Sequence, residues 1–243
     1  MAGNRSRGCF PSGRAGERPS AAARATVRIF APAGIHSVPA EGGGLIRTLN
    51  DAVELVHTHH VVTEVPTQGP ASLVEKVLGG RPSGSWREHA KGRLAYRLGR
   101  MLRASPEVLA VRLVEGKVAF VDPTLWPSVY RVAMEPTRRR ASLAGLSADA
   151  RELLNTVERD GEVRLDKEGP WTKARQTLVE RLLVQFSEAQ EEDGHHVAVL
   201  RSWRSWASPL LKADAMTLSY EEALARLRDA CGGAPTGLGP WVF

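Results

Sequence analysis

The sequence predicts an α+β fold, and three observations carry that reading. Segments with apolar residues at helical spacing recur along the chain, and β-branched runs joined by short polar turns stand between them. Over residues 146–203 these segments come in the order helix, short element, helix, hairpin. That is the order of a winged helix, a helix-turn-helix variant with a β wing. Residues 72–121 have a similar order, and Gly84-x-Trp86 and Gly169-x-Trp171 each precede a long helix followed by a hairpin. Two explanations stand side by side: a tandem pair of winged helices, or coincidence within one mixed α+β domain.

The elements follow in order. Residues 29–44 hold Pro32, Pro39 and Gly42–Gly44 and read as linker. Thr48, with Asp51 three residues on, caps a helix whose apolar face is Ala52, Val53, Leu55 and Val56. Val61–Val65 is a β-branched run stopped by Pro66, and Ser72–Leu78 is a short helix closed by Gly79-Gly80. The pattern predicts a helix over Trp86–Arg103, with Ala90, Leu94, Leu98, Met101 and Leu102 on one face. Val108–Val114 and Lys117–Val121 form a hairpin about Glu115-Gly116. Asp122-Pro123 opens a further helix carrying Leu125, Trp126, Val129 and Val132, and Pro136 with Arg138–Arg140 marks a boundary. Ser147 caps a helix over Ala148–Arg159, closed by Gly161. A short element at Val163 and Leu165 precedes a helix opened by Gly169-Pro170-Trp171. Leu183–Ala189 and His196–Arg201 are strands about the turn Glu191–Gly194, and Ser219 with Glu222 starts a last helix with the spacing of a capping box. The expected organisation is a disordered tail and linker at 1–43, a basic α+β segment at 44–140, the winged helix at 141–207, and a C-terminal helix and tail at 208–243.

Composition limits the function classes. The 243 residues suffice for one large or two small domains, and a hydrophobic share of 42% is ordinary for a chain with a real core. No apolar run approaches the ~20 residues of a membrane helix. The two cysteines, Cys9 and Cys231, have no metal-type spacing, which fits a reducing, cytoplasmic setting. Charge is unevenly spread: +5 over residues 1–28, +8 over 81–140 and −5 over 141–200. The first segment is rich in Gly, Ser, Ala and Arg, lacks periodicity, and resembles a transit peptide in being Arg-rich and acid-poor. A solvated extension and a targeting or nucleic-acid-binding arm both fit it.

Arg93, Arg97 and Arg100 form a stripe at helical spacing, opposed by Glu88 alone within the helix. Like charges so placed repel by ~0.2–0.5 kcal/mol per pair, and a polyanion would relieve that. A solvated helix face with acids supplied by the fold, such as Glu64 or Glu75, is the other reading. Arg138, Arg139 and Arg140 could add phosphate contacts. The second module would present Thr172, Lys173, Arg175 and Gln176 for phosphates and base edges. Its turn Glu191-Glu192-Asp193 is acidic and suits a protein partner better than DNA. His57, His59 and His60 suit a helix C-terminus. His195, His196 and Glu192 are the weak candidates for an acid–base or metal site. Trp126, Trp171, Trp203 and Trp206 read first as packing residues. There is no Walker loop, dinucleotide fingerprint, Gly-x-Ser-x-Gly elbow or zinc spacing.

Ser85-Trp86, Val111–Asp122 followed by Leu125-Trp126-Pro127, Glu180–Val184, and Gly194-x-His196 followed by Trp203 resemble a group of bacterial winged-helix proteins. These are similar in style to the AlkZ-like crosslink-repair DNA glycosylases, over residues 45–207. Those enzymes use Gln-x-Gln or Gln-x-Asp. The four glutamines of this chain, Gln68, Gln176, Gln185 and Gln190, make neither. The bacterial group carries His-x-Glu-x-Gly-x-His in the wing, where this chain has Gln190-x-Glu192-x-Gly194-x-His196. The resemblance therefore implies a fold and a repair or regulatory setting, not the chemistry. The resulting expectation is a non-enzymatic protein without cofactor or metal that binds double-stranded DNA, with a protein partner at the acidic module and no membrane. The alternatives are a protein-interaction module without nucleic acid, and a divergent glycosylase-like hydrolase.

Overall fold

Local capping decides where most helices begin. In the computed structural model, which describes residues 46–233 apart from 167, 192, 193 and 195, the Thr48 hydroxyl accepts from the Asp51 N–H. The Asp51 carboxylate accepts from the Thr48 N–H in return. This starts α1 (Leu49–His59), which buries Ala52, Val53, Leu55 and Val56. There follow β1 (Val61–Thr63), β2 (Ala71–Ser72), α2 (Leu73–Leu78), α3 (Gly92–Ala104), β3 (Leu109–Val114) and β4 (Lys117–Val121). The sheet order is β2-β1-β4-β3, with β1 antiparallel to β4 and β4 antiparallel to β3. Alternate strand residues point to opposite faces. Ala110, Val118 and Phe120 therefore pack with α1, α2 and α3, while Leu109, Val111, Ala119 and Val121 pack on the other side. That second side is covered by α4 (Trp126–Ala133), α9 (Pro209–Met216) and α10 (Tyr220–Ala230).

The second half uses α5 (Pro136–Leu143), α6 (Ala148–Asp160), β5 (Glu162–Asp166), α7 (Thr172–Glu180), β6 (Gln185–Gln190), β7 (His196–Arg201) and α8 (Trp203–Trp206). Its sheet order is β5-β7-β6, all antiparallel, and α6 and α7 bury Leu153, Leu154, Val157, Ala174 and Leu178 against it. The helix, strand, helix, hairpin order expected over 146–203 is present.

The similar unit expected at 72–121 begins earlier, at α1: apart from β2 and α2, which stand between β1 and α3, residues 49–121 repeat the element order of the second half, and the likeness extends beyond order. In each, the strand after the first helix pairs with the last strand of the hairpin. His60 and Gly161, the residues between first helix and first strand, both have positive φ, 59° and 81°. The residue after each hairpin, Asp122 or Ser202, donates its N–H to the carbonyl of that same residue, at 2.9 and 3.0 Å. Each then caps the next turn with its side chain, Asp122 onto the Thr124 N–H and Ser202 onto the Ser205 N–H. Leu109 and Gln185 occupy the same register position opposite the last strand residue. Counting back from them sets Leu98 and Leu102 of α3 on Ala174 and Leu178 of α7, all four buried.

Three expectations are corrected. The helix expected over Trp86–Arg103 begins at Gly92. Before it the chain makes tight turns, with Glu88, His89 and Gly92 N–H groups bonding the carbonyls of Ser85, Trp86 and His89. A Cβ at Gly92 would lie 2.4 Å from the Trp86 carbonyl oxygen, so only glycine fits there. The boundary at 140/141 falls inside α5, and the described residues 46–233 belong to one compact unit. Pro136 opens that helix rather than interrupting the chain, because proline needs no N–H in a first turn. The segment 208–243 holds α9 as well as the expected last helix. The tail and linker at 1–43 lie outside the described residues.

Candidate nucleic-acid interface

The core face of α3 is Ala95, Leu98, Gly99 and Leu102. Helical geometry then sends Arg93, Tyr96, Arg97 and Met101 outward, and all four are exposed, Tyr96 at 48% and Met101 at 40%. Among the described residues no acid pairs with Arg93 or Arg97. Arg87, on the turn before the helix, stacks over Trp86 with 5.6 Å to the ring centroid. This end of α3 is basic and solvent-facing.

Arg100 differs from its neighbours in the stripe. Its Nε lies 3.6 Å from Glu188 Oε2, and its guanidinium carbon is 6.0 Å from the Tyr96 ring centroid. Arg103, one turn inward of the stripe, pairs with Glu64 and also lies 3.9 Å from the other Glu188 oxygen. Glu75 pairs instead with Arg81 at 3.9 Å. The acid that neutralises Arg100 therefore comes from β6, nearly ninety residues along the chain.

That pairing belongs to a seam with an approximate twofold pattern. β3 meets β6, α3 meets β6, and α7 meets β3. Arg112 and Glu188 hold equivalent hairpin positions, paired with Val118 and Ala198. Glu188 reaches α3, while Arg112 approaches Glu180 at the end of α7, at 3.9 Å. Each half thus lays its hairpin along the other's second helix. A cleft of about 350 Å³ sits there, bordered by Tyr96, Arg103, Arg112, Arg175 and Glu188. Partial burial lowers the Arg175 pKa, and Glu188 opposes that shift.

The remaining expected site residues separate clearly. Lys173 and Gln176 are exposed on α7, at the positions of Arg97 and Arg100, with Gln176 Nε2 donating to Glu180 at 2.8 Å. Arg140 is exposed. Arg139 is engaged by Glu158. Arg138 is a correction: it is 3% exposed and donates to the carbonyls of Ala133, Arg181 and Leu182 at 2.9, 3.0 and 3.2 Å. Burial, then the charge of Arg139, pushes its pKa down to about 10. It is a structural clamp and does not face a phosphate. Trp203 Nε1 donates to the same Leu182 carbonyl at 3.1 Å, and Leu182 itself has φ of 50°, a conformation leucine adopts only when held.

His196 lines a groove of about 300 Å³ with Tyr96, Arg97, Met101 and Gln190. Glu192 and His195 lie outside the described residues. His57 and His60 face Asp122: Nδ1 of His57 is 2.6 Å from one carboxylate oxygen, and Nδ1 of His60 is 3.7 Å from the other. Trp126, Trp203 and Trp206 pack together, with ring centroids 5.4 and 5.3 Å apart.

Sequence reasoning missed Tyr96, Arg103 and Glu188, and it set Met101 on the apolar face of the helix, where the structure turns it outward. Tyr96 was findable as an aromatic interleaved with the arginine stripe. Glu188 carried no signal, because its partners are distant in sequence. No family model, curated protein or solved structure matches the chain. Among the described residues no helix is long and apolar enough to cross a membrane.

Proposed function

We propose that this is a non-enzymatic nucleic-acid-binding protein built from two winged-helix units docked face to face, with a role in DNA repair or regulation suggested by resemblance. The observation that carries the binding reading is the outward face of α3, where Arg93 and Arg97 are exposed without an acid partner among the described residues. Unpaired guanidinium groups on a rigid helix suit phosphate oxygens, and displacing condensed counterions favours the contact. Lys173 on α7, at the position of Arg97, adds a second basic point. The winged-helix reading is supported by the matching orders β1-β4-β3 and β5-β7-β6 in the two sheets, with β2 an added edge strand of the first, and by the matching corners at Asp122 and Ser202.

The test is a salt titration of oligonucleotide binding by the full chain and by the Arg93→Ala/Arg97→Ala variant. The variant leaves the +5 segment at residues 1–28 unchanged, so that segment's background binding cancels. Loss of two phosphate contacts is expected to flatten the slope of log K against log salt by about 1.4–1.8. Identical slopes would sink the reading. A protein-interaction role is favoured by one other observation, the exposed Leu210 and Met216 on α9 at 57% and 77%. That role would stand alone if neither protein form bound nucleic acid at low salt.

A further inference from the structure

Helix α3 occupies the position of a groove-reading helix, yet its surroundings do not suit a duplex. An α-helix with its side chains is about 10–12 Å across, and a B-DNA major groove is about 12 Å wide. A helix entering that groove needs both flanks clear for the two sugar-phosphate walls. One flank of α3 is occupied along its C-terminal half by β6, through Glu188 with Arg100 and Arg103. The flank of α7 is covered reciprocally by β3. The C-terminal half of α3 and one flank of α7 are therefore closed to a groove wall, and the open stretch is the N-terminal half of α3, with Arg93, Tyr96 and Arg97.

The free face of α3 offers a different chemistry. Tyr96 presents an exposed ring between Arg93 and Arg97, with Met101 one turn further along. Beside it runs the groove of about 300 Å³, whose far wall holds Gln190 and His196. That volume is at the small end of ligand sites, about 300–1,000 Å³, and suits one planar ring rather than the edge of a base pair. Exposed aromatic rings interleaved with cations are how proteins hold unpaired bases: the ring stacks, and guanidinium groups track the phosphates. Resting on the nucleic-acid reading above, we infer that this face takes single-stranded nucleic acid, with an unpaired base stacked on Tyr96 and its flanking phosphates on Arg93 and Arg97. Gln190 and His196 border the base edge.

The experiment compares the full chain with Tyr96→Ala and Tyr96→Phe. Fluorescence anisotropy is read on a labelled oligothymidylate about twelve nucleotides long and on a duplex of the same length. The single strand is expected to bind about tenfold more tightly than the duplex. Tyr96→Ala is expected to weaken single-strand binding about tenfold and leave duplex binding within about twofold, while Tyr96→Phe, which keeps the ring, stays within about twofold on both. Tyr96 is exposed, so circular dichroism should report an unchanged fold. Duplex binding as tight as single-strand binding, or a Tyr96→Ala variant with full single-strand affinity, overturns the inference while the arginine-dependent reading stands. Absence of binding to both probes at low salt removes the nucleic-acid reading itself, and this inference with it.

Discussion

The two halves of the described fold share a core of helix, strand, helix and hairpin, to which the first adds β2 and α2, and they differ in how each uses it. In the first, the corner between second helix and hairpin is held locally, with the Ser105 hydroxyl accepting from the Glu107 N–H at 3.2 Å. In the second, the equivalent corner is tied from outside by Arg138 of α5 and by Trp203. Hairpin charge is also reversed, Arg112 in one and Glu188 in the other. Two similarly ordered halves with opposite signs at equivalent places can dock by a nearly symmetric set of contacts. That leaves the outer face of α3 basic, because the acids of the second half are drawn into the seam. Net charge by segment therefore says little about which surface is available. What matters is which charges the docking consumes.

The difference at the corners gives the largest expected effect. Arg138→Ala would leave three buried carbonyls with fewer donors and release Leu182 from its left-handed conformation. A loss of about 3 kcal/mol in unfolding free energy is expected, read by chemical denaturation. Ser105→Ala at the first corner should cost under about 1 kcal/mol. Equal losses at the two sites would mean that the corners are held alike.

Next in size is the start of α3. Glycine-to-alanine changes in helices usually stabilise by about 1 kcal/mol. At Gly92 the new methyl would meet the carbonyls of Trp86 and Arg87, both backbone atoms with little room to move. Gly92→Ala should therefore destabilise by about 2 kcal/mol, as overpacking does. An unchanged or raised Tm would show that the turn before α3 yields easily.

The seam itself comes third. Glu188 is largely buried between Arg100 and Arg103, and Arg100 Nε and Nη2 are buried without a hydrogen bond. Glu188→Gln removes the charge and keeps the shape, so about 1.5 kcal/mol should be lost from docking of the halves. The sharper readout is cooperativity. Weakened docking should broaden the denaturation transition toward two steps, one for each half. A single sharp transition displaced by the same free energy would place the cohesion elsewhere, in the shared core about α4 and α10.

Much of this was legible in the sequence, and the rest failed for identifiable reasons. The caps at Thr48 and Ser219 and the Glu115-Gly116 turn are local signals that reported their elements faithfully, whereas the period of α3 found the helix but set its start six residues early. Helix α9 was missed because its only buried residue is Ala215, which leaves no apolar stripe to read. Arg138 was misread because a run of arginines beside a proline resembles a solvated linker, and its carbonyl partners lie more than forty residues away. The site was half legible. Arg93 and Arg97 stand as exposed as the stripe implied, whereas the loss of Arg100 to Glu188 depends on docking that no local pattern encodes.

The smallest effect separates the two matching corners by pH. Asp122 and Ser202 do the same backbone work, but only Asp122 can titrate. Burial alone would raise its carboxyl pKa; the hydrogen bonds from Thr124 and His57 outweigh that and hold it below the ordinary carboxylate range. A depressed folded pKa contributes stability that is fully present above the unfolded value, near pH ~4, and is lost as pH falls through the folded value. Asp122→Asn should therefore be less stable than the parent by about 1 kcal/mol at neutral pH, with the gap closing as the pH drops below about 4. Ser202→Ala should cost a similar amount, about 1 kcal/mol, through its lost cap, with no dependence on pH. A gap for Asp122→Asn that persists into acid would mean that the carboxylate charge contributes nothing at this corner, and that the two corners are equivalent in energy as well as in geometry.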